Sequence, residues 1–135
     1  MSINFEKICN NLSLGNIIEN AEKINGGITN QMYKIQTTKG KFAVKIINKH
    51  RIQKNKNILK NIEFSEQIAT IANLNNINSI PAIRFNNKYV QNIDDEYILV
   101  YKWCDGKILL TKEIDIEKVK IIANMLAKSH KIVPK

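Results

Sequence analysis

Apolar and polar positions change their period several times along this chain, and each change marks an element. Ile3, Phe5, Ile8, Cys9 and Leu12 fall on one side of a short helix that Ser2 is placed to cap. The following stretch, NIIENAEKINGGITNQMYKIQTTKGKFAVKIIN, holds three strand-like runs divided by Gly26-Gly27 and by Lys39-Gly40, which predicts an antiparallel meander. After a basic loop, NKHRIQKNKN, the period shifts to a helical one: Ile58, Ile62, Ala69 and Ala72 share a face, and Asn75-Asn76 ends it. Pro81 opens a return to strand, with AIRFNN and KYVQNI, a turn at Asp94-Asp95, and the long apolar run EYILVYKW. Beyond Cys104-Asp105-Gly106, the residues Ile116, Val119, Ala123, Leu126 and His130 form a last helical stripe, in which His130 is read as a packing residue.

These elements add up to an α+β chain built on a five-stranded antiparallel sheet with one packed helix. At 135 residues it has room for one ordinary domain. An apolar fraction of 44% and a charged fraction of 24% are those of a globular protein. No apolar run reaches the roughly 18 residues of a membrane span, and MSINFEKICNN lacks the basic flank and apolar core of an export signal. Cytoplasm is the expected compartment. Cys9 and Cys104 lie far apart, without His or Cys companions at metal-ligand spacing, and are read as free thiols.

A formal charge of +9 points to an anionic ligand or partner, although lysine, asparagine and isoleucine are abundant throughout and many of these lysines are expected on the surface. The run NKHRIQKNKN raises the possibility of nucleic acid. Aromatic residues are sparse around it, which removes the stacking platform a single-strand binder needs.

The candidate chemistry centres on GKFAVKII. Period-2 geometry puts Phe42, Val44 and Ile46 on one face and Ala43, Lys45 and Ile47 on the other. If the second face meets water, Lys45 is an ordinary surface lysine. If that face lines a cleft, its ammonium needs a carboxylate nearby. Glu66 lies on the apolar side of the following helix and is the better candidate, whereas Glu63 falls among Lys60, Gln67 and Thr70. Ala43, on the same side as Lys45, leaves space for a flat group such as a purine. NGGITN can offer backbone N–H groups, the Thr29 hydroxyl and the Asn30 amide to phosphate oxygens, or it can be a plain hairpin turn.

Taken in order, INGGITNQMYKI, GKFAVKI, IEFSEQIATIANLNNINSIPAI, YILVYKWCDGK and IIANMLAKSHKI resemble the amino-terminal half of the aminoglycoside phosphotransferase and choline kinase family, from about Ile24 to Ile132. The resemblance implies a protein-kinase-like N-lobe over residues 1–103, with an inter-lobe connection and the first C-lobe helix over 104–135. It implies ATP with Mg2+ as cofactor, Lys45 on the α- and β-phosphates, Glu66 paired with Lys45, and Gly26, Gly27, Thr29 and Asn30 in the loop over the phosphates. Tyr101 would stand at the back of the pocket, Ala43 would belong to the nucleotide-binding set, and the Lys102 carbonyl and the Cys104 N–H would meet the adenine edge. The acceptor would be a hydroxyl on an aminoglycoside, choline or another amino alcohol.

The family's His-Gly-Asp loop and its later metal-binding Asp do not occur in this sequence, so no catalytic residue is assigned and the Mg2+ ligands are expected in the missing C-lobe. This 135-residue chain is therefore expected to bind nucleotide with little turnover. The competing reading is a non-enzymatic module that binds nucleotide or a protein partner. In either case the last helix, with its apolar stripe bare, is expected to cause poor solubility or dimerisation.

Overall fold

The structure, a computed structural model, describes residues 3–24, 30–77, 79–104 and 116–130. It is α+β, an open antiparallel sheet accompanied by helices. Helix α1 (Phe5–Asn11) precedes β1 (Glu22–Ile24), β2 (Gln31–Thr37) and β3 (Gly40–Ile46). Helices α2 (Lys49–Lys54) and α3 (Ile58–Leu74) follow, then β4 (Gln91–Ile93), β5 (Glu96–Lys102) and α4 (Ile116–His130). The five strands lie in the order β1-β2-β3-β5-β4, so β3 is central and β5 is inserted beside it after the helical excursion.

The period-2 assignment of GKFAVKII holds. Val44 and Ile46 enter a core with Ile35, Ile98 and Val100, which Ile8 and Cys9 of α1 and Leu12 and Leu14 just after it cover. The opposite face carries Ile47 and Leu99, and packs with Ala82 and Tyr89 beneath Leu59 and Ile62 of α3. Both faces of β3 are thus covered, which is why a strand with a lysine in it otherwise reads as buried. Gly15, at φ 98, lets the N-terminal segment pass close to the β2–β3 turn, where a Cβ would come within 2.7 Å of the Thr38 hydroxyl oxygen.

Several expectations are corrected. The cap of α1 is Asn4, whose side chain accepts from Lys7 N; Ser2 lies outside the described residues. The basic run is not simply a loop: its Lys49–Lys54 portion is α2, because Asn48 accepts from His50 N at 2.8 Å and starts the turn. AIRFNN does not form a ladder strand. Phe85 and Lys88 make an isolated bridge around Asn86 and Asn87, both at positive φ, and regular pairing begins only at Gln91. Helix α3 ends at Asn75 as its sequence implies, and Asp94 and Asp95 turn β4 into β5 at φ 54 and 62.

Cys9 is buried and Cys104 exposed, both as free thiols. Ile116, Val119 and Leu126 stand exposed on α4; the His130 side chain lies outside the described residues. Among the described residues no helix is long and apolar enough to cross a membrane.

Candidate functional site: a cleft on the central strand

Antiparallel register builds this site. Ala43 lies between Lys34 of β2 and Tyr101 of β5, and Lys45 lies between Met32 and Leu99. Alternation turns Ala43, Lys45 and Tyr101 to the face that α3 crosses, and Glu66 descends from the helix toward them. The resulting cleft encloses about 480 Å³ and is lined by Ala43, Lys45, Glu66, Tyr101, Lys102 and Cys104. That volume is within the roughly 300–1,000 Å³ of small-molecule sites. Residues separated by long stretches of chain are therefore neighbours here.

The ion pair expected between Lys45 and Glu66 is not made. Glu66 Oε1 accepts from the Tyr101 hydroxyl at 2.6 Å, and Oε2 accepts from Ala82 N at 2.8 Å. A partly buried phenol and a backbone N–H both require an acceptor, and the carboxylate meets both needs at once. Tyr101 therefore stands between the two charges. Its ring receives Lys45, whose Nζ is 5.7 Å from the ring centroid, within cation–π range. Among the described residues the ion pairs are Lys7 with Asp94 and Lys49 with Glu96, leaving Lys45 without a carboxylate partner. Burial, and secondarily the hydrogen bond to Glu66, pushes the Tyr101 phenol well above its ordinary range, so it remains a donor at any physiological pH.

Glu63, which falls among Lys60, Gln67 and Thr70 on the helix, is also engaged. Its carboxylate accepts from Tyr89 N at 2.9 Å and from Val90 N at 2.6 Å, and the neighbouring Thr70 hydroxyl meets the Tyr89 hydroxyl at 2.7 Å. Glu63 and Thr70 on the polar side of α3 are met by the chain at Tyr89 and Val90, while Lys60 and Gln67 stay exposed, so the helix has a wider inner surface than its apolar spacing suggests. Asn30 lies away from the cleft lining; its Oδ1 accepts from Asn48 N at 3.0 Å and ties the start of β2 to the end of β3, leaving its amide hydrogens as donors. Gly26, Gly27, Thr29, Asp105 and Gly106 lie outside the described residues.

Met32, Ile80 and Trp103 also line the cleft and were not singled out by the sequence. Met32 could have been found by counting antiparallel register back from Lys45, and Trp103 by its place beside Tyr101. Ile80 is set by the path of the chain after α3, which no local pattern reveals. Lys34 Nζ lies 4.6 Å from the Trp103 ring centroid, adding a second cation to this face of the sheet.

No protein-family model and no curated protein matches the sequence.

Proposed function

We propose that this chain is the nucleotide-binding portion of a protein-kinase-like phosphotransferase, which would pass the ATP γ-phosphate to a hydroxyl acceptor such as an aminoglycoside, choline or another amino alcohol. The observation that carries this reading is the convergence of Ala43, Lys45, Glu66 and Tyr101 on one cleft over the central strand. A half-buried ammonium with no carboxylate at ion-pair distance among the described residues suits a polyphosphate, because an anionic ligand supplies the counter-charge. Ala43 gives a low floor against which a purine can lie. At the rim Trp103 N donates to Lys41 O at 3.1 Å, and the planar trans peptide turns the Lys102 carbonyl the opposite way, away from β3. That orientation leaves the carbonyl available to an adenine edge.

The fit is partial for the metal. The described residues contain no group of carboxylate, histidine or cysteine side chains able to hold one, and Glu66 already accepts two hydrogen bonds. In this reading Mg2+, which would neutralise phosphate charge, is held by groups other than these, and the cleft itself binds and orients the nucleotide. A second reading, a nucleotide- or protein-binding module without turnover, is favoured by the way Glu66 is engaged with Tyr101 and Ala82 rather than with Lys45.

Calorimetric titration with ATP and Mg2+ tests the proposal. Lys45→Ala should weaken ATP binding by about tenfold or more, equivalent to about 1.4 kcal/mol, and leave adenosine binding nearly unchanged. An unbound wild-type chain, or ATP affinity that ignores the substitution, would sink it.

A further inference from the structure

A second concavity lies on another side of α3, and the nucleotide reading does not use it. It encloses about 480 Å³ between Lys60, Glu63 and Phe64 of the helix and Arg84, Lys88 and Tyr89 of the hairpin that returns to β4. Both walls are firmly built. The hairpin turns through Asn86 and Asn87 at φ 50 and 65, the geometry of a tight two-residue connection. Gln91 Nε2 donates to Phe85 O and Lys88 O, and Glu63 accepts from the N–H groups of Tyr89 and Val90. These bonds fix the hairpin to the helix, so the groove is preformed.

Its charge is one-sided. Lys60, Arg84 and Lys88 are exposed, and among the described residues none of them is ion-paired. The groove's acid, Glu63, is turned to backbone N–H groups and does not answer those cations. On the helix wall Phe64 is 54% exposed, on a stripe with Lys60 and Ile68 that faces away from the sheet. Arg84 lies over the Tyr89 ring, 5.9 Å from its centroid, and Tyr89 is itself 6% exposed, so it is a wall and not a platform.

We propose that the groove between α3 and the Arg84–Tyr89 hairpin docks an acidic peptide segment, its carboxylates on Lys60, Arg84 and Lys88 and one apolar side chain on Phe64. Charge complementarity selects an anionic partner, and the exposed ring of Phe64 on the groove wall calls for that partner to carry an apolar anchor. A single open ring does not provide the succession of stacking surfaces that a nucleic-acid strand uses, which favours peptide.

Fluorescence anisotropy on the full chain tests this with three labelled probes: a random copolymer of glutamate and tyrosine, polyglutamate, and oligothymidylate. The copolymer should bind and polyglutamate should bind more weakly. Arg84→Glu, Lys88→Glu and Phe64→Ala should each weaken the copolymer by about tenfold. Lys23→Glu, an exposed site on β1 with the same change in net charge, should have an effect below about twofold. Circular dichroism of each variant confirms that it is folded, and the neutral Arg84→Gln provides a milder version of the same loss. The proposal is overturned if Lys23→Glu weakens binding as much as Arg84→Glu, which would make the attraction one of bulk charge. It is equally overturned if Phe64→Ala is silent, if the copolymer does not bind, or if oligothymidylate binds more tightly and displaces it.

Discussion

Val44 and Lys45 are consecutive residues of one strand, yet they belong to two different environments. Val44 is sealed between the sheet and α1 in a core of aliphatic side chains, a layer in which no charged residue is buried among those described. Lys45 opens onto a cleft where the Glu66 carboxylate is joined by directed bonds to the Tyr101 phenol and the Ala82 backbone N–H. The first face contributes non-directional stability that tolerates small shifts of its members. On the second face helix α3 has no fully buried residue and is held to the chain at 82–90 largely through Glu63, Glu66 and Thr70. Placing polar anchors there leaves space beside the sheet for a ligand, at the cost of a smaller apolar contact.

The sharpest break between the two faces should come from Ile98→Ala. Ile98 is fully buried on the α1 side, and its truncation should cost about 2–5 kcal/mol in urea denaturation. ATP affinity of the folded variant should change little. Lys45→Ala should do the reverse, altering stability by less than about 1 kcal/mol while removing affinity. If both substitutions act mainly on stability, the division of labour between the faces is wrong.

On the cleft face, Tyr101→Phe keeps the ring under Lys45 and deletes the donor to Glu66. Loss of a hydrogen bond to a charged group should cost about 1.5–3 kcal/mol in thermal or urea unfolding. Glu63→Ala should cost about 1–3 kcal/mol by leaving the Tyr89 and Val90 amides without their acceptor. Hydrogen exchange should quicken at those amides, whereas Glu63→Gln, which retains a carbonyl oxygen, should recover part of the protection.

Alkaline pH gives the smallest contrast. Burial, and after it the nearby Glu6 carboxylate, raises the Cys9 thiol above its ordinary value. Its stabilising effect is therefore complete below the unfolded thiol pKa of about 8.5 and is lost as pH rises toward the higher folded value, since the unfolded chain releases its proton first. Tyr101, also raised, adds a loss of the same sign once the unfolded phenol ionises above about pH 10. Cys9→Ala should flatten the earlier part of that decline and leave the later part in place.

Much of this architecture is legible in local pattern. The alternation of GKFAVKII assigned each side chain to its face, Asn75-Asn76 located the end of α3, and Asp94-Asp95 located a turn, because each depends on residues adjacent in the chain. Part of the cleft lining was also named in advance, Ala43, Lys45 and Glu66 from alternation and helical spacing and Tyr101, Lys102 and Cys104 from the resemblance, whereas Met32, Ile80 and Trp103 were not. Even the missed helix α2 had a local sign, the capping side chain of Asn48.

What the sequence did not determine is which of these groups bond to each other. Glu66 turns to Tyr101 and Ala82, and Glu63 turns inward to Tyr89 and Val90, because the chain at 82–90 crosses beside α3 and brings N–H donors that local periodicity does not represent. Covalent order and a period of 2 or 3.6 fix the direction in which a side chain leaves the backbone. Its hydrogen-bond partner is settled by competition among all donors within about 3 Å once the chain has folded, and that competition exists only in the tertiary structure.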